Sequence, residues 1–430
     1  MHCLILKLCA IWTFPLLIIL SRTAPIYALP AHQQHPPNSA QPLASLARPA
    51  SLFKQNGIQK RENFIPTIKQ AAYGWVAPAQ GHIQYIEFAT TQERLDEKKA
   101  DGRIALSDLL SQGQQGQIFS AEIEDWDGKK TFSGVAKIGQ GSSEVKAALL
   151  QDSIRSAHIP YLEGVFWIPR GTTGNSLVVM ERLGRSLYEV LQATAKGKST
   201  GVQLYIPILH ALRALRDAHA AQVAHLDVKM HHILVLEFDR FELEPQWMLV
   251  DWGLALNVAL LEKDMAEGQG RLPWAKGTEE NMAPEIANGP YYEEGPGTNL
   301  LLSDIYSLAM THFDTLVPGL SHRDRLRLSE DLVEDEDDAR RRQLRSKKPL
   351  TGLPREDILK KLQQNVPPHL LNDVKEDLVL ISKCLVSQNQ GRLTTYEYYK
   401  GLCESKNAGC DDLDDARWVM AVSQEKKGRS

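Results

Sequence analysis

Four charged side chains of this 430-residue chain lie where phosphoryl transfer would need them. Lys137 lies in the apolar stretch FSGVAKI, where an ammonium group needs an anionic partner or a phosphate because unpaired burial is costly. Asp227 and Lys229 lie in HLDVKMHH, and Asp251 directly follows the apolar residues of MLVDWGLA. Phosphoryl transfer requires a cation for the phosphates, a carboxylate to orient the attacking hydroxyl and a carboxylate for a metal ion. Taken singly, these residues also have ordinary structural explanations. Lys137 could be a lysine on an edge strand that extends into solvent, and each Asp could be a carboxylate in a turn or at a helix cap.

Two glycines precede Lys137 in a segment that favours close approach of the backbone to an anion. The stretch LLSQGQQGQIF places Gly113 and Gly116 between apolar residues, with Ile118 two positions later. Because glycine has no Cβ, the backbone amides of such a turn can reach a phosphate. The same two glycines suit an ordinary hairpin turn, so this pattern is a weak signal by itself.

The elements that would position these residues are strands first and helices later, which predicts an α+β class rather than a doubly wound sheet. A turn signal at Asp127-Gly128, between IFSAEIEDW and KKTFSGVAKI, predicts a β-hairpin. A helical stripe of apolar residues leads into HLDVK. Its members are Leu204, Ile208, Leu212, Leu215 and Ala218.

The ordered segments GQQGQI, VAK, HLDVK, DWG, GTEENMAPE and SDIYSLA, with a late Gly-Arg pair, resemble the eukaryotic protein kinase family over about residues 103–405. The resemblance implies a bilobal fold, with a small antiparallel β-sheet lobe at 103–181 and a larger, mostly helical lobe at 182–405. It also implies transfer of the ATP γ-phosphate to Ser or Thr of a protein substrate, with Mg²⁺ or Mn²⁺.

The same resemblance implies a role for each matching residue. Asp227 would be the catalytic base, Lys229 would assist it, and Asp251 would be the chief metal ligand. Lys137 would hold the phosphates, with Glu144 as its ion-pair partner. The remaining nucleotide-binding positions would be Ser111, Gly113 and Gly116 in the glycine turn, Ile118 and Val135 over the adenine ring, Met180 as gatekeeper, and the backbone of Glu181 and Leu183 beside the adenine.

Further matches concern Thr278 and three residues that would contribute to stability. Thr278 would bridge Asp227 and Lys229, as in the serine/threonine branch. Glu285 and Arg392 would form a buried structural ion pair, and Asp304 would support the catalytic loop.

Four positions depart from the family pattern. Ser111 replaces the first glycine, Leu226 removes the Arg that senses a phosphorylated activation loop, and Trp252 replaces Phe. His232 stands where the family has an Asn that binds the second metal ion, and imidazole nitrogen suits softer ions than Mg²⁺. His232 is therefore either a metal ligand or a packed loop residue. These departures keep a second interpretation open, a pseudokinase that binds partners through the nucleotide cleft without efficient phosphotransfer.

The N-terminal residues predict a secretory route. Residues 1–28 resemble a signal peptide, because the apolar run from Leu8 to Leu20 is too short to favour a membrane anchor. Cleavage is expected near Ala28. A Pro, Gln and Ala-rich linker at 29–62 follows, then an N-terminal extension at 63–102, and residues 406–430 form a C-terminal tail.

Charge and cysteine content limit the partners. The chain has 49 Lys and Arg against 53 Asp and Glu, a net charge of -4, so nucleic acid is not expected as a partner. Three cysteines follow the leader: Cys384, Cys403 and Cys410. Either Cys403 and Cys410 close a small loop, or all three are buried thiols.

Overall fold

The computed structural model describes the backbone of residues 68–70, 84–88, 101–113, 116–125, 127–140, 143–170, 173–195, 203–236, 245–267, 277–287, 299–317, 320, 324–325, 327–328, 332, 352–408, 410 and 412–427. All of them belong to one compact unit, Ala50–Ser430. The predicted leader, the whole linker and most of the extension lie outside the described residues.

The N-terminal part is a seven-stranded antiparallel sheet in the order β1-β2-β3-β4-β5-β7-β6. Its strands are β1 (Ile68–Gln70), β2 (Gln84–Phe88), β3 (Gly102–Gly113), β4 (Gly116–Asp125), β5 (Lys130–Gln140), β6 (Leu162–Arg170) and β7 (Thr173–Met180). The predicted hairpin at Asp127-Gly128 is confirmed, because β4 pairs with β5 around it. Gly128 has a φ of 77°. Tight hairpin turns require such a positive φ, and glycine adopts it without strain.

The sheet buries one face in a cluster of its own and meets a helix on the other. Phe119, Ala136, Leu177 and Val179 belong to the first cluster, which is almost free of solvent contact. Helix α1 (Ser143–Ser153) packs Val145 and Ala148 against the opposite face. This second face is the one that bears Lys137.

The C-terminal part is mostly helical and carries the larger core. Its helices are α2 (Leu187–Ala195), α3 (Tyr205–Ala220), α4 (Val258–Ala266), α5 (Pro284–Ala287), α6 (Leu300–Leu316), α7 (Arg355–Gln364), α8 (Leu371–Leu385), α9 (Thr395–Lys406) and α10 (Ala416–Glu425). Two small antiparallel pairs join β9 (Ile233–Val235) to β10 (Trp247–Leu249) and β8 (Val223–Ala224) to β11 (Leu256–Asn257).

Helix α3 forms as its apolar period predicts. Ile208, Leu212, Leu215 and Ala218 have no exposed surface, so the stripe faces the core. The predicted α+β class is therefore confirmed. No helix in the described ranges is long and apolar enough to cross a bilayer.

The structure has the first of the two arrangements expected for the cysteines, a small loop closed by a disulfide. Cys403 and Cys410 form a disulfide, and Cys384 is a buried free thiol. The bridge joins the end of α9 to the segment that leads into α10.

Candidate active site

Lys137 is positioned by the register of three neighbouring strands. It lies opposite Ile118 on β4 and Val178 on β7, while Val135, two residues earlier, lies opposite Met180. Directly opposed residues of an antiparallel pair point to the same face, and residues two apart on a strand do so as well. These five side chains therefore share the face that α1 covers.

The ammonium of Lys137 bridges two carboxylates from different parts of the chain. Its Nζ lies 3.2 Å from Glu144 Oε1, in the first turn of α1, and 3.0 Å from Asp251 Oδ1. Burial opposes the charged form, but the carboxylates of Asp251 and Glu144 hold the pKa of Lys137 above its ordinary value. Lys137 is thus a fixed cation, joined to the Glu144 that the sequence nominated as its partner.

The glycine turn lies at the tip of the β3–β4 hairpin. Gly113 pairs with Gly116, and Ser111 pairs with Ile118. Gly116 has a φ of 148°, and a Cβ built there would lie 2.1 Å from the carbonyl oxygen of Ile138. No other residue fits this close approach of two backbones. Residues 114 and 115 of the turn lie outside the described residues.

Met180, Glu181 and Leu183 lie where the sheet passes into the helical part. Met180 ends β7. The Glu181 N–H donates to the Tyr161 carbonyl at 3.1 Å, and the Gly184 N–H donates to the Val235 carbonyl at 2.7 Å. Leu183 lies in this connection, which is hydrogen bonded to the sheet side at one end and to the helical part at the other.

The loop that carries Asp227 is hydrogen bonded to Asp304 of α6. This fully buried carboxylate accepts the backbone N–H groups of His225 and Leu226, both at 2.7 Å. Leu226 adopts a φ of 65°, a conformation that is unfavourable for leucine. Two charge-assisted hydrogen bonds fix the backbone immediately before Asp227 in this geometry.

Asp227, Lys229 and Thr278 form a closed triangle of hydrogen bonds. The Thr278 hydroxyl donates to Asp227 Oδ1 at 2.6 Å, and Lys229 Nζ donates to Asp227 Oδ2 at 2.9 Å and to Thr278 Oγ1 at 2.7 Å. Burial opposes ionisation, yet the positive charge of protonated His232, followed by the hydrogen bond from Thr278 and the charge and hydrogen bond of Lys229, holds the pKa of Asp227 below its usual range. The triangle presents an oriented carboxylate next to a cation.

Asp251 follows β10 in a left-handed conformation, with φ 60° and ψ 66°. This conformation directs one oxygen to Lys137 and leaves Oδ2 facing His232, whose Nε2 is 3.3 Å away. Burial alone would raise the pKa of Asp251, but Lys137 lowers it to about 2. Asp251 is therefore ionised at neutral pH.

His232 links the two carboxylate residues. Its Nδ1 lies 2.8 Å from the carbonyl oxygen of Asp227, and its Nε2 faces Asp251. Burial lowers the pKa of His232 to about 4, so the ring is neutral at pH 7. Residues from β5, α1 and the segments around Asp227 and Asp251 thus converge on one place.

A cavity of about 360 Å³ adjoins the triangle of Asp227, Lys229 and Thr278. Its lining residues are Lys229, Met230, His231, His232, Thr278, Glu280, Asn281, Asp314 and Arg325. Burial raises the pKa of Asp314 to about 7, although Arg325 lies 3.4 Å from Oδ2. The cavity is large enough to admit a side chain next to the Asp227 carboxylate.

In the part of the chain that the structure describes, the His, Cys, Asp and Glu side chains that could share a metal ion occur in pairs. Within the described ranges, no three His, Cys, Asp or Glu residues are grouped so that they could hold a metal ion without other ligands. Asp251 and His232 present an oxygen and a nitrogen to the same place.

Sequence reasoning nominated Asp304 beneath the Asp227 loop but missed two other residues there, His219 and Glu425. His219 of α3 lies between Asp304 and Glu425 of α10, and all three are fully buried. A histidine on the apolar stripe of α3 was the available signal, since a buried titratable group needs partners. Nothing in the sequence pointed to Glu425, which lies more than 200 positions away.

The structural ion pair that the sequence nominated is present. Arg392 donates to both oxygens of Glu285, and both side chains are fully buried. Trp252 packs its indole edge-to-face on His225 at 4.6 Å and donates to the Leu249 carbonyl.

Comparison with known proteins gives a partial similarity. The chain is 30% identical over 141 residues to serine/threonine-protein kinase D2 of Rattus norvegicus, and equally so to those of Mus musculus and Homo sapiens. The match covers 33% of this chain but only 14% of each relative, so the chain spans about a seventh of their length. No family model matches. The similarity indicates a kinase-like relationship over a third of the chain.

Proposed function

We propose that this protein is a secreted, kinase-like enzyme with a bilobal fold, which transfers the γ-phosphate of ATP to Ser or Thr of a protein substrate. The sheet and α1 would form the smaller lobe, and the helical part would form the larger one. The similarity to a serine/threonine kinase supports this assignment for part of the chain.

The observation that carries the proposal is the double bridge made by Lys137. Glu144 is seven residues away and Asp251 is 114 residues away, yet both carboxylates lie within 3.2 Å of the same ammonium. A cation held between two carboxylates on the face of a sheet is suited to bind a polyphosphate. It can exchange part of its contact with Asp251 for phosphate oxygens without leaving its place.

The Asp227 triangle supplies the second requirement. Its ionised carboxylate can accept the proton of an attacking hydroxyl, and Lys229 can stabilise the negative charge that develops on the transferred phosphoryl group. The cavity beside Lys229 and Thr278 leaves room for the substrate that carries the hydroxyl.

The residues present fit a divalent metal ion that is shared with the nucleotide. Asp251 offers Oδ2, because Oδ1 accepts from Lys137, and His232 offers Nε2 at the same place. A metal ion held by two side chains would complete its coordination with phosphate oxygens and water, as is usual in phosphoryl-transfer sites. Such an ion neutralises phosphate charge when it is bound.

A secreted protein agrees with the disulfide between Cys403 and Cys410, because such bonds persist in oxidising compartments. This agreement supports the leader expected at residues 1–28, whose cleavage remains a proposal. N-terminal sequencing of the exported protein tests it, and an uncleaved N terminus would contradict it.

The second candidate function is a pseudokinase that binds nucleotide without efficient transfer. His232 favours it, because a neutral ring facing Asp251 Oδ2 stands where an oxygen ligand would serve Mg²⁺ better. The two functions share the nucleotide cleft and differ in turnover.

One experiment tests the proposal and separates the two functions. The protein, expressed from the full sequence, is assayed for transfer of labelled γ-phosphate to a generic protein substrate with Mg²⁺ and with Mn²⁺. We expect Asp227→Asn to lower the rate by about 100-fold or more, because it removes the proton acceptor. Asp373→Asn, an exposed position on α8, is the matched control and keeps the wild-type rate.

Equal, background-level transfer by the wild type and Asp227→Asn would contradict the enzyme. Thermal stabilisation by ATP without transfer would then favour the pseudokinase, because a ligand that binds only the folded state raises its stability.

A further inference from the structure

The three histidines that follow Val223 differ in what their ring nitrogens contact. His225 uses both nitrogens within the protein: Nδ1 accepts the Asp227 N–H at 3.2 Å, and Nε2 donates to the Val250 carbonyl at 2.9 Å. His231 stacks on the ring of Tyr188 at 4.1 Å. Of the three, His232 is the one whose nitrogen faces a carboxylate of the candidate site.

The hydrogen bond at Nδ1 fixes the tautomer of the neutral His232 ring. Its partner is the Asp227 carbonyl oxygen at 2.8 Å, which can only accept, so Nδ1 must carry the proton. In the neutral ring, Nε2 then presents a lone pair. That lone pair is directed toward Asp251 Oδ2 at 3.3 Å.

Two acceptors that face each other at this distance repel unless a cation lies with them. Asp251 Oδ1 is already held by Lys137, which aims Oδ2 toward the ring. A histidine that binds a metal ion through one ring nitrogen usually donates the N–H of the other to a carbonyl or carboxylate, as His232 Nδ1 does to the Asp227 carbonyl. The side chain of Asp251 is 31% exposed, so an ion can reach the pair from solvent.

We infer that His232 Nε2 and Asp251 Oδ2 bind one divalent ion together with the nucleotide, and that the nitrogen ligand makes the site prefer Mn²⁺ to Mg²⁺. The inference rests on the proposed function for the nucleotide that completes the site. Mg²⁺ is a hard ion that takes oxygen ligands, whereas Mn²⁺ accepts imidazole nitrogen more readily and binds mixed nitrogen and oxygen sites more tightly.

Pulsed electron paramagnetic resonance of Mn²⁺ tests this directly, without turnover. The full-length protein is loaded with Mn²⁺ and a non-hydrolysable ATP analogue. We expect an imidazole nitrogen coupling on the bound Mn²⁺ in the wild type and its loss in His232→Asn. His231→Asn removes the neighbouring histidine and retains the coupling, which makes it the matched control.

Metal affinity provides a second measurement. The Kd for Mn²⁺ should rise about tenfold in His232→Asn, and the excess of Mg²⁺ needed to displace Mn²⁺ should fall by a similar factor. His232→Gln is measured in parallel, and thermal melting without metal identifies a variant that fails to fold.

The possible outcomes separate this inference from the proposed function. Bound Mn²⁺ without nitrogen coupling in the wild type would overturn the inference, because His232 would then pair with Asp251 as an imidazolium, while nucleotide binding would stand. Failure of the wild type to bind the nucleotide analogue with either ion would overturn both.

Discussion

His219 Nε2 lies 3.1 Å from Asp304 Oδ2, and both side chains are completely shielded from solvent. The other ring nitrogen, Nδ1, lies against Glu425 of α10, and the same Asp304 accepts the N–H groups of His225 and Leu226. A single chain of hydrogen bonds therefore runs from α10 through α3 and α6 to the loop of Asp227.

This relationship predicts a loss of stability at alkaline pH. Burial alone would lower the pKa of His219, but its hydrogen bonds to Asp304 and Glu425 raise it from 6.5 to about 9. A pKa raised in the folded state contributes stability that is complete below pH 6.5 and disappears as pH rises through 9. The contribution is on the order of 3 kcal/mol.

Urea denaturation at several pH values between 6 and 10 measures this loss. His219→Gln should be less stable at pH 6 and should show a smaller decline toward pH 10. An equal decline in the wild type and the variant would show that His219 does not carry the effect.

The buried ion pair between Glu285 and Arg392 predicts a large loss of folding stability when one partner is replaced. Glu285→Gln leaves an uncompensated guanidinium in a site with no solvent access, which should lower the free energy of unfolding by about 3–5 kcal/mol. Glu404→Gln is the control, because Glu404 is 67% exposed and faces Lys400 at 3.9 Å. We expect that change to cost less than about 1 kcal/mol. Similar losses in both variants would contradict the prediction.

The close approach of Gly277 to the backbone of Leu226 predicts that a side chain at position 277 would displace the Asp227 loop. Its φ is 121°, and a Cβ there would lie 2.6 Å from the carbonyl oxygen of Leu226. Gly277→Ala should displace the residue before Asp227 and lower the proposed phosphotransfer by about 100-fold.

Gly128→Ala provides the control for backbone strain alone. Gly128 has a φ of 77°, but its Cβ would meet nothing within 4 Å. The expected cost is about 1–2 kcal/mol of stability, with the rate of transfer unchanged. Equal rates for the two alanine variants would show that the contact with Leu226 does not position the loop.

The disulfide predicts a redox-dependent stability. Cys403 and Cys410 are seven residues apart, and a bridge over so short a loop should contribute about 2–3 kcal/mol. Guanidinium denaturation with and without a reducing agent measures this contribution. Cys403→Ser should show the lower stability in both conditions. A wild type that is unaffected by reduction would contradict the prediction.

Much of the architecture follows from local patterns. The α+β class, the Asp127-Gly128 hairpin and the apolar face of α3 were predictable because each depends on residues that are close in sequence. The strands β1 and β2 were not, since these short segments have no distinctive period and join the sheet only because β1 pairs with β2 and β2 pairs with β3.

The candidate site divides in the same way. Types and spacing were enough to nominate Lys137, Asp227 and Asp251, because charged residues within apolar stretches need a partner. The contact of Lys137 with Asp251 spans 114 positions and depends on how the sheet packs against the helical part.

The amino-acid sequence alone determined which residue types were available, where the Asp127-Gly128 hairpin and helix α3 form, and that one position beside the candidate base holds a histidine. Only the tertiary structure decided which nitrogen of His232 faces Asp251, and that His219 and Glu425 support the loop of Asp227. Local structure follows from backbone preferences and periodicity over a few residues. The orientation of a buried ring depends on hydrogen-bond partners that folding brings together from distant parts of the chain.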